Sequence, residues 1–181
     1  MSAVAGAEWV RLIDVRHVPA GTIDITADAT ERRRLAGRFG LTAIDRLIAT
    51  VAIVPGATHV AVTGRIRAAI IQPCAISGED FAVAIDETVD LRFVPPRDAT
   101  LPDEEIEITA LDCDEIEYDG LSFDLGEALA QTLALSIDPF AQGPDADRAR
   151  AEHGLAGESG GGAFAALAAL KDPEAQGNGP Q

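Results

Sequence analysis

Three histidines, His17, His59 and His153, and two cysteines, Cys74 and Cys113, are the side chains of this sequence best suited to hold a metal or to attack an electrophile. They stand singly, with no His-Glu-x-x-His and no paired Cys, so neither a metal ligand set nor a cofactor is expected. Both thiols read as reduced core residues, because neither has a neighbour with which to build a disulfide framework. The stretch DCDEIEYDG is acidic enough for calcium, yet Glu117 stands where a calcium loop needs glycine for its sharp turn. Ser77 and Ser122 lack a nucleophile elbow, and GESGGGAF follows no strand, so no phosphate cradle is present. These residues argue against an enzyme and a small-molecule substrate, with no catalytic, cofactor-binding or metal-binding residue assigned.

Charge is the chemistry that remains. The 181-residue chain has a net charge of −16, unevenly spread: residues 1–78 hold 9 basic against 6 acidic side chains, residues 79–119 hold 2 against 15, and residues 120–181 hold 3 against 9. A field of many like charges repels phosphate and attracts basic polypeptide over roughly 8–10 Å at ordinary salt. The acidic run Asp103, Glu104, Glu105 and Glu107 is thus a candidate contact for a basic protein. Arg32, Arg33, Arg34, Arg38, Arg65 and Arg67 are the alternative, a direct RNA contact, although no aromatic residues interleave with them as a base-stacking surface requires.

The elements that must position these residues follow from periodicity and punctuation. EWVRLIDVRHV and AGTIDIT are extended in style, and DATERRRLAGRFG switches to helical spacing, with Asp28 or Thr30 as cap, Leu35 and Phe39 four apart and Gly40 as stop. Three Val, Ile and Thr-rich segments follow, separated by Pro-Gly, Ser-Gly and Asp-Gly, and predict an antiparallel meander. In the middle one Val83, Ile85, Glu87, Val89, Leu91 and Phe93 share a parity, which makes that face core with Glu87 its single exception. DLGEALAQTLALSIDPFA then predicts a helix with Asp124 as cap, Glu127 at capping-box spacing, and Leu125, Leu129, Leu133 and Ile137 as an apolar stripe. A stripe of that kind lies against a sheet.

The expected fold is α+β: a curved antiparallel, partly barrel-like sheet with two packing helices, spanning residues 5–142. Residues 143–181 read as a flexible tail, because Gly, Pro, Gln and charge dominate them, with a short helical motif at 163–171. In that motif Phe164, Leu167 and Leu170, followed by Lys171, have the spacing of a segment that folds into a partner's groove. No apolar run is long enough to span a bilayer and no basic region precedes an apolar one at the start, so a cytoplasmic protein without a membrane association is expected.

In combination these segments resemble the YceD family, the bacterial large ribosomal RNA subunit accumulation proteins. GRIRAAIIQPCAISGEDFAVAIDETVDLRF is similar to the family's central segment through Cys74, Phe81, Val83, Ile85, Glu87, Leu91 and Phe93. EIEYDGLSFDLGEALAQTLALSIDPFA resembles its acidic lead-in and DLGE helix, and FAALAALK its ending; the helix with the N-terminal arginines sits where the family has one. Ser77 stands where many members have a second Cys, so a zinc role is not transferred, and Gln131 replaces the family's second Glu in the helix. The resemblance implies a part in 23S ribosomal RNA synthesis or accumulation and in large-subunit assembly, without an established reaction. Because the family is often encoded beside a small basic large-subunit ribosomal protein, it also implies such a protein, or a pre-ribosomal particle, as partner.

Overall fold

A computed structural model of the chain describes residues 8–96 and 115–154. The elements run β1 (Leu12–Asp14), β2 (Thr22–Thr26), α1 (Ala29–Phe39), β3 (Ala43–Pro55), β4 (Val60–Pro73), β5 (Asp80–Val94), β6 (Glu115–Glu117), β7 (Ser122–Asp124), α2 (Leu125–Ser136) and α3 (Ala146–Glu152). Five of the strands form one sheet in the order β2-β3-β4-β5-β6, and β1 and β7 form a separate antiparallel pair. The fold is α+β, as the alternation of extended and helical patterns predicts. Among the described residues the sheet does not close into a barrel, and β2 and β6 stand at its ends.

Turn chemistry builds the meander. Pro55 and Gly56 end β3, and the Gly56 N–H donates to the His59 carbonyl at 2.8 Å, closing the hairpin to β4. Between β4 and β5 the Cys74 N–H donates to the Glu79 carbonyl, while Gly78 takes a left-handed φ of 72° that a side chain would resist. A bulge between Ile44 and Arg46 shifts the register of β3. The last pairing departs from an antiparallel meander: β6 runs parallel to β5, with Glu115 opposite Arg92 and Glu117 opposite Val94. Parallel neighbours require a long connection, and the two strands are separated in sequence by residues 95–114.

One face of the sheet is core. Ile25, Leu47, Val51, Val62, Ile66, Ile70, Val89 and Phe93 point into it and are buried, and α1 and α2 cover it with Leu35, Leu125, Leu129 and Leu133, each 0% exposed. The opposite face, with Asp24, Thr50, Arg65 and Thr88 in one cross-strand row, is uncovered among the described residues. Helix α1 has a full capping box, in which Asp28 accepts from Thr30 and Glu31 and the Glu31 side chain returns to the Asp28 N–H; Gly40 closes it at φ 68°.

Two features of the chain beyond β6 differ from the sequence reading. Asp124 caps α2 as expected, accepting from the Gly126 and Glu127 N–H groups, but Glu127 does not complete a capping box; its carboxylate turns outward to Arg38. The segment after Pro139 contains α3, whose Ala146 and Ala149 are buried, where only tail was anticipated. Small residues made this helix hard to see, since two alanines give almost no apolar periodicity. The 163–171 motif lies outside the described residues.

Candidate functional site

The DLGE sequence is where the N-terminal segment, α1 and α2 are tied together. Asp124 Oδ1 accepts from the Arg11 N–H at 2.8 Å as well as from the helix start, and the Leu125 N–H donates to the Arg11 carbonyl at 2.9 Å. Gly126 has the Trp9 carbonyl where a Cβ would sit, so only glycine allows this approach. Glu127 makes a two-pronged ion pair with Arg38, 2.8 Å on each prong, and Arg38 also reaches Glu8 at 3.0 Å. The Arg38 guanidinium is the main reason the Glu127 carboxyl is held below its ordinary value. Arg11 in turn bridges to Glu31 at the start of α1. These side chains are spent on assembling the domain.

The arginines proposed for RNA do not share one surface. Arg32 is turned inward, its Nη1 donating to the Ala27 carbonyl and its Nε to the Ile44 carbonyl. Arg33 and Arg34 lie on α1, on the helix-covered side of the sheet, whereas Arg65 and Arg67 project from the uncovered face and both meet Asp86, at 2.7 and 3.4 Å. Asp103, Glu104, Glu105, Glu107, Phe164, Leu167, Leu170 and Lys171 lie outside the described residues.

Cys74 is buried and holds a turn. Its Sγ accepts from the Ile76 and Ser77 N–H groups, each at 3.4 Å. Hydrogen bonding from Ser77, side chain first, and from the Gly143 and Ile76 backbones brings the thiol down to about 6 against the opposing effect of burial. Among the described residues no group of three or more His, Cys, Asp or Glu side chains is placed to hold a metal.

Besides a recess of about 440 Å³ between α1 and β3, lined by Arg32 and Arg33 among others, concave surface runs along β5 and α2 as a groove. Its three compartments follow the two elements in opposite directions. The first, about 500 Å³, is lined by Phe93, Ile116, Tyr118, Glu117, Asp119 and Gln131 among others. The second, about 430 Å³, lies among Glu87, Asp90, Leu91, Thr132, Leu135 and Ser136. The third, about 620 Å³, takes in Phe81, Val83, Ile85, Glu87, Ile137 and Asp138. No Arg, Lys or His lines any of the three. Glu87, Asp90, Glu117 and Asp119 make no ion pair among the described residues, while Leu135 at the rim is 89% exposed. Apolar walls bordered by acids suit a cationic, partly apolar ligand.

Sequence reasoning registered Glu87 as the exception on the core parity of β5 without giving it a role. It is exposed because the C-terminal half of α2 leaves that part of β5 open. Gln72 and Leu135 went unnoticed, and Phe81 was read only as part of the family's central segment, since nothing in their local spacing separates a groove wall from a core wall.

By fold and surface the chain is an acidic α+β domain in which a helix-covered sheet borders a groove that no cation lines among the described residues. It belongs to the YceD family: the family model described as large ribosomal RNA subunit accumulation protein YceD matches residues 62–171, more than half of the chain. The match runs from β4 through α3 to Lys171, and β1, β2, α1 and β3 precede it. No curated protein and no solved structure matches the chain.

Proposed function

We propose that this protein supports 23S ribosomal RNA accumulation and large-subunit assembly without catalysing a reaction, by binding a basic large-subunit ribosomal protein or an assembly intermediate in the cytoplasm. The family's name gives the process. The observation behind the binding mode is the β5–α2 groove, whose three compartments contain acidic and apolar side chains and no cation. Basic ribosomal proteins need their charge held before RNA takes it over, and an acidic surface does so at a rate that electrostatic steering raises. The alternative of direct rRNA binding through Arg32, Arg33, Arg34, Arg38, Arg65 and Arg67 has to work against the −16 field.

A pull-down from cell extract with and without ribonuclease separates the two. Capture of a basic large-subunit protein that survives ribonuclease, and is lost when Asp103, Glu104, Glu105 and Glu107 are neutralised together, is the expected result. Loss of every partner on RNA digestion would replace this reading with the RNA one.

A further inference from the structure

Strand β5 is fifteen residues long, but β6 pairs only with Arg92, Phe93 and Val94. Among the described residues the stretch from Asp80 to Leu91 is paired with β4 on one side and with nothing on the other. Such an edge presents every second N–H and C=O to whatever lies beside it, and proteins normally blunt it with proline, lysine or a bulge. Here β5 contains no proline and no lysine, and its register with β4 is unbroken from Asp80 to Phe93.

The side chains around the edge set what can be added there. On the inner parity Phe81, Val83, Ile85 and Leu91 continue the apolar wall of the groove, and Glu87 is the one charge. On the outer parity Asp86 is taken up by Arg65 and Arg67, and Asp90, on the far side of Thr88, makes no ion pair among the described residues. Gln72, 4% exposed, also lines the groove; its Nε2 donates to the Asp138 carbonyl at 3.4 Å and its Oε1 has no donor among the described residues. A strand added to β5 would turn alternate residues toward α2, where apolar side chains fit except opposite Glu87, and the others toward the outer face, where Asp90 accepts a cation. A charge on the inner parity also turns away a wholly apolar strand, which makes the edge selective.

We propose that the edge of β5 from Phe81 to Leu91 accepts an extended segment of a basic polypeptide as an added strand, seated in the groove between β5 and α2. This rests on the reading of the protein as a holder of basic ribosomal protein and specifies where and how the client is held. Main-chain hydrogen bonds supply the affinity, and the alternation of apolar and cationic side chains supplies the selection.

The test is amide hydrogen exchange by NMR on the full-length protein, with a synthetic peptide of alternating valine and lysine, about eleven residues long to match the edge. Alternate amides between Phe81 and Leu91 should exchange freely in the free protein and slow by about tenfold or more with the peptide, but not with a peptide of the same composition in scrambled order. The double variant Glu87→Lys, Asp90→Lys, with an unchanged circular dichroism spectrum, should weaken peptide binding by roughly tenfold. Protection of these amides already in the free protein would overturn the proposal, because the edge would then belong to residues 97–114 or 163–171 of the chain or to a second copy. Equal binding of the scrambled peptide, or of RNA oligonucleotides at the same residues, would overturn it too. Ribonuclease-resistant capture of a basic large-subunit protein that the double variant leaves intact would retire the strand site alone; strand addition of the peptide without any such capture would retire the proposed function alone.

Discussion

Glu127 shows how a motif that looks functional at the level of single residues is occupied by structure. Its carboxylate joins α2 to α1 through Arg38 and also accepts from Gln131 Nε2 at 3.1 Å. Both partners of the ion pair are about a third exposed, so the pair contributes about 0.5–1 kcal/mol. Arg38 holds the Glu127 carboxyl below the ordinary glutamate value of 4.5. A depressed carboxyl pKa gives stability that is complete above the unfolded value and is lost as pH falls through the folded one. Glu127→Gln should therefore lower the melting temperature by a few degrees at pH 7 and flatten its decline below about pH 4.5. Thermal scans across that range check the prediction, and a variant whose acid limb is as steep as the wild type's would show that Glu127 is not held by Arg38 in solution.

At the scale of elements, α2 was the most legible part of the chain. Three leucines four residues apart, a capping aspartate and a terminating proline agree with one another, and Leu125, Leu129 and Leu133 are all fully buried. Leu133→Ala should cost about 2–5 kcal/mol, as should Leu129→Ala. Leu135→Ala, at a position 89% exposed two residues further on, should stay within about 0.5 kcal/mol. Urea unfolding of the three variants is sufficient, and equal midpoints for Leu133→Ala and Leu135→Ala would refute the orientation of the helix. The parity of β5 was equally legible, because strand alternation is local. The parallel register of β6 was not, since three residues have no pattern of their own and their partner is set by a distant strand. Nor was the outward turn of Glu127, because capping-box spacing is blind to an arginine eighty-nine residues away in sequence. The groove was the least legible of all: it exists only where β5 outruns the elements that cover it.

At the scale of the whole molecule, the family match that ends at Lys171 places the 163–171 motif, which lies beyond the described residues, inside the region the family shares. An isolated apolar helix of this length is marginal in water and is stable only against a surface. If the motif is a second contact for the client held at β5, the two act together, and a short tether converts the second contact into an intramolecular event with an effective concentration in the millimolar range. Each contact alone is then weak and the pair is strong. Deleting residues 160–181 should leave the melting temperature unchanged, because the buried leucines and the Arg38–Glu127 pair are retained. The same deletion should reduce co-sedimentation with large-subunit precursors by about a hundredfold, the lower end of what lost bivalency removes. Glu87→Lys with Asp90→Lys should reduce it in the full chain but add little to the truncated one. A truncated protein that still co-sediments normally would place the whole contact on the folded domain, and a lower melting temperature after truncation would instead make the motif part of the fold.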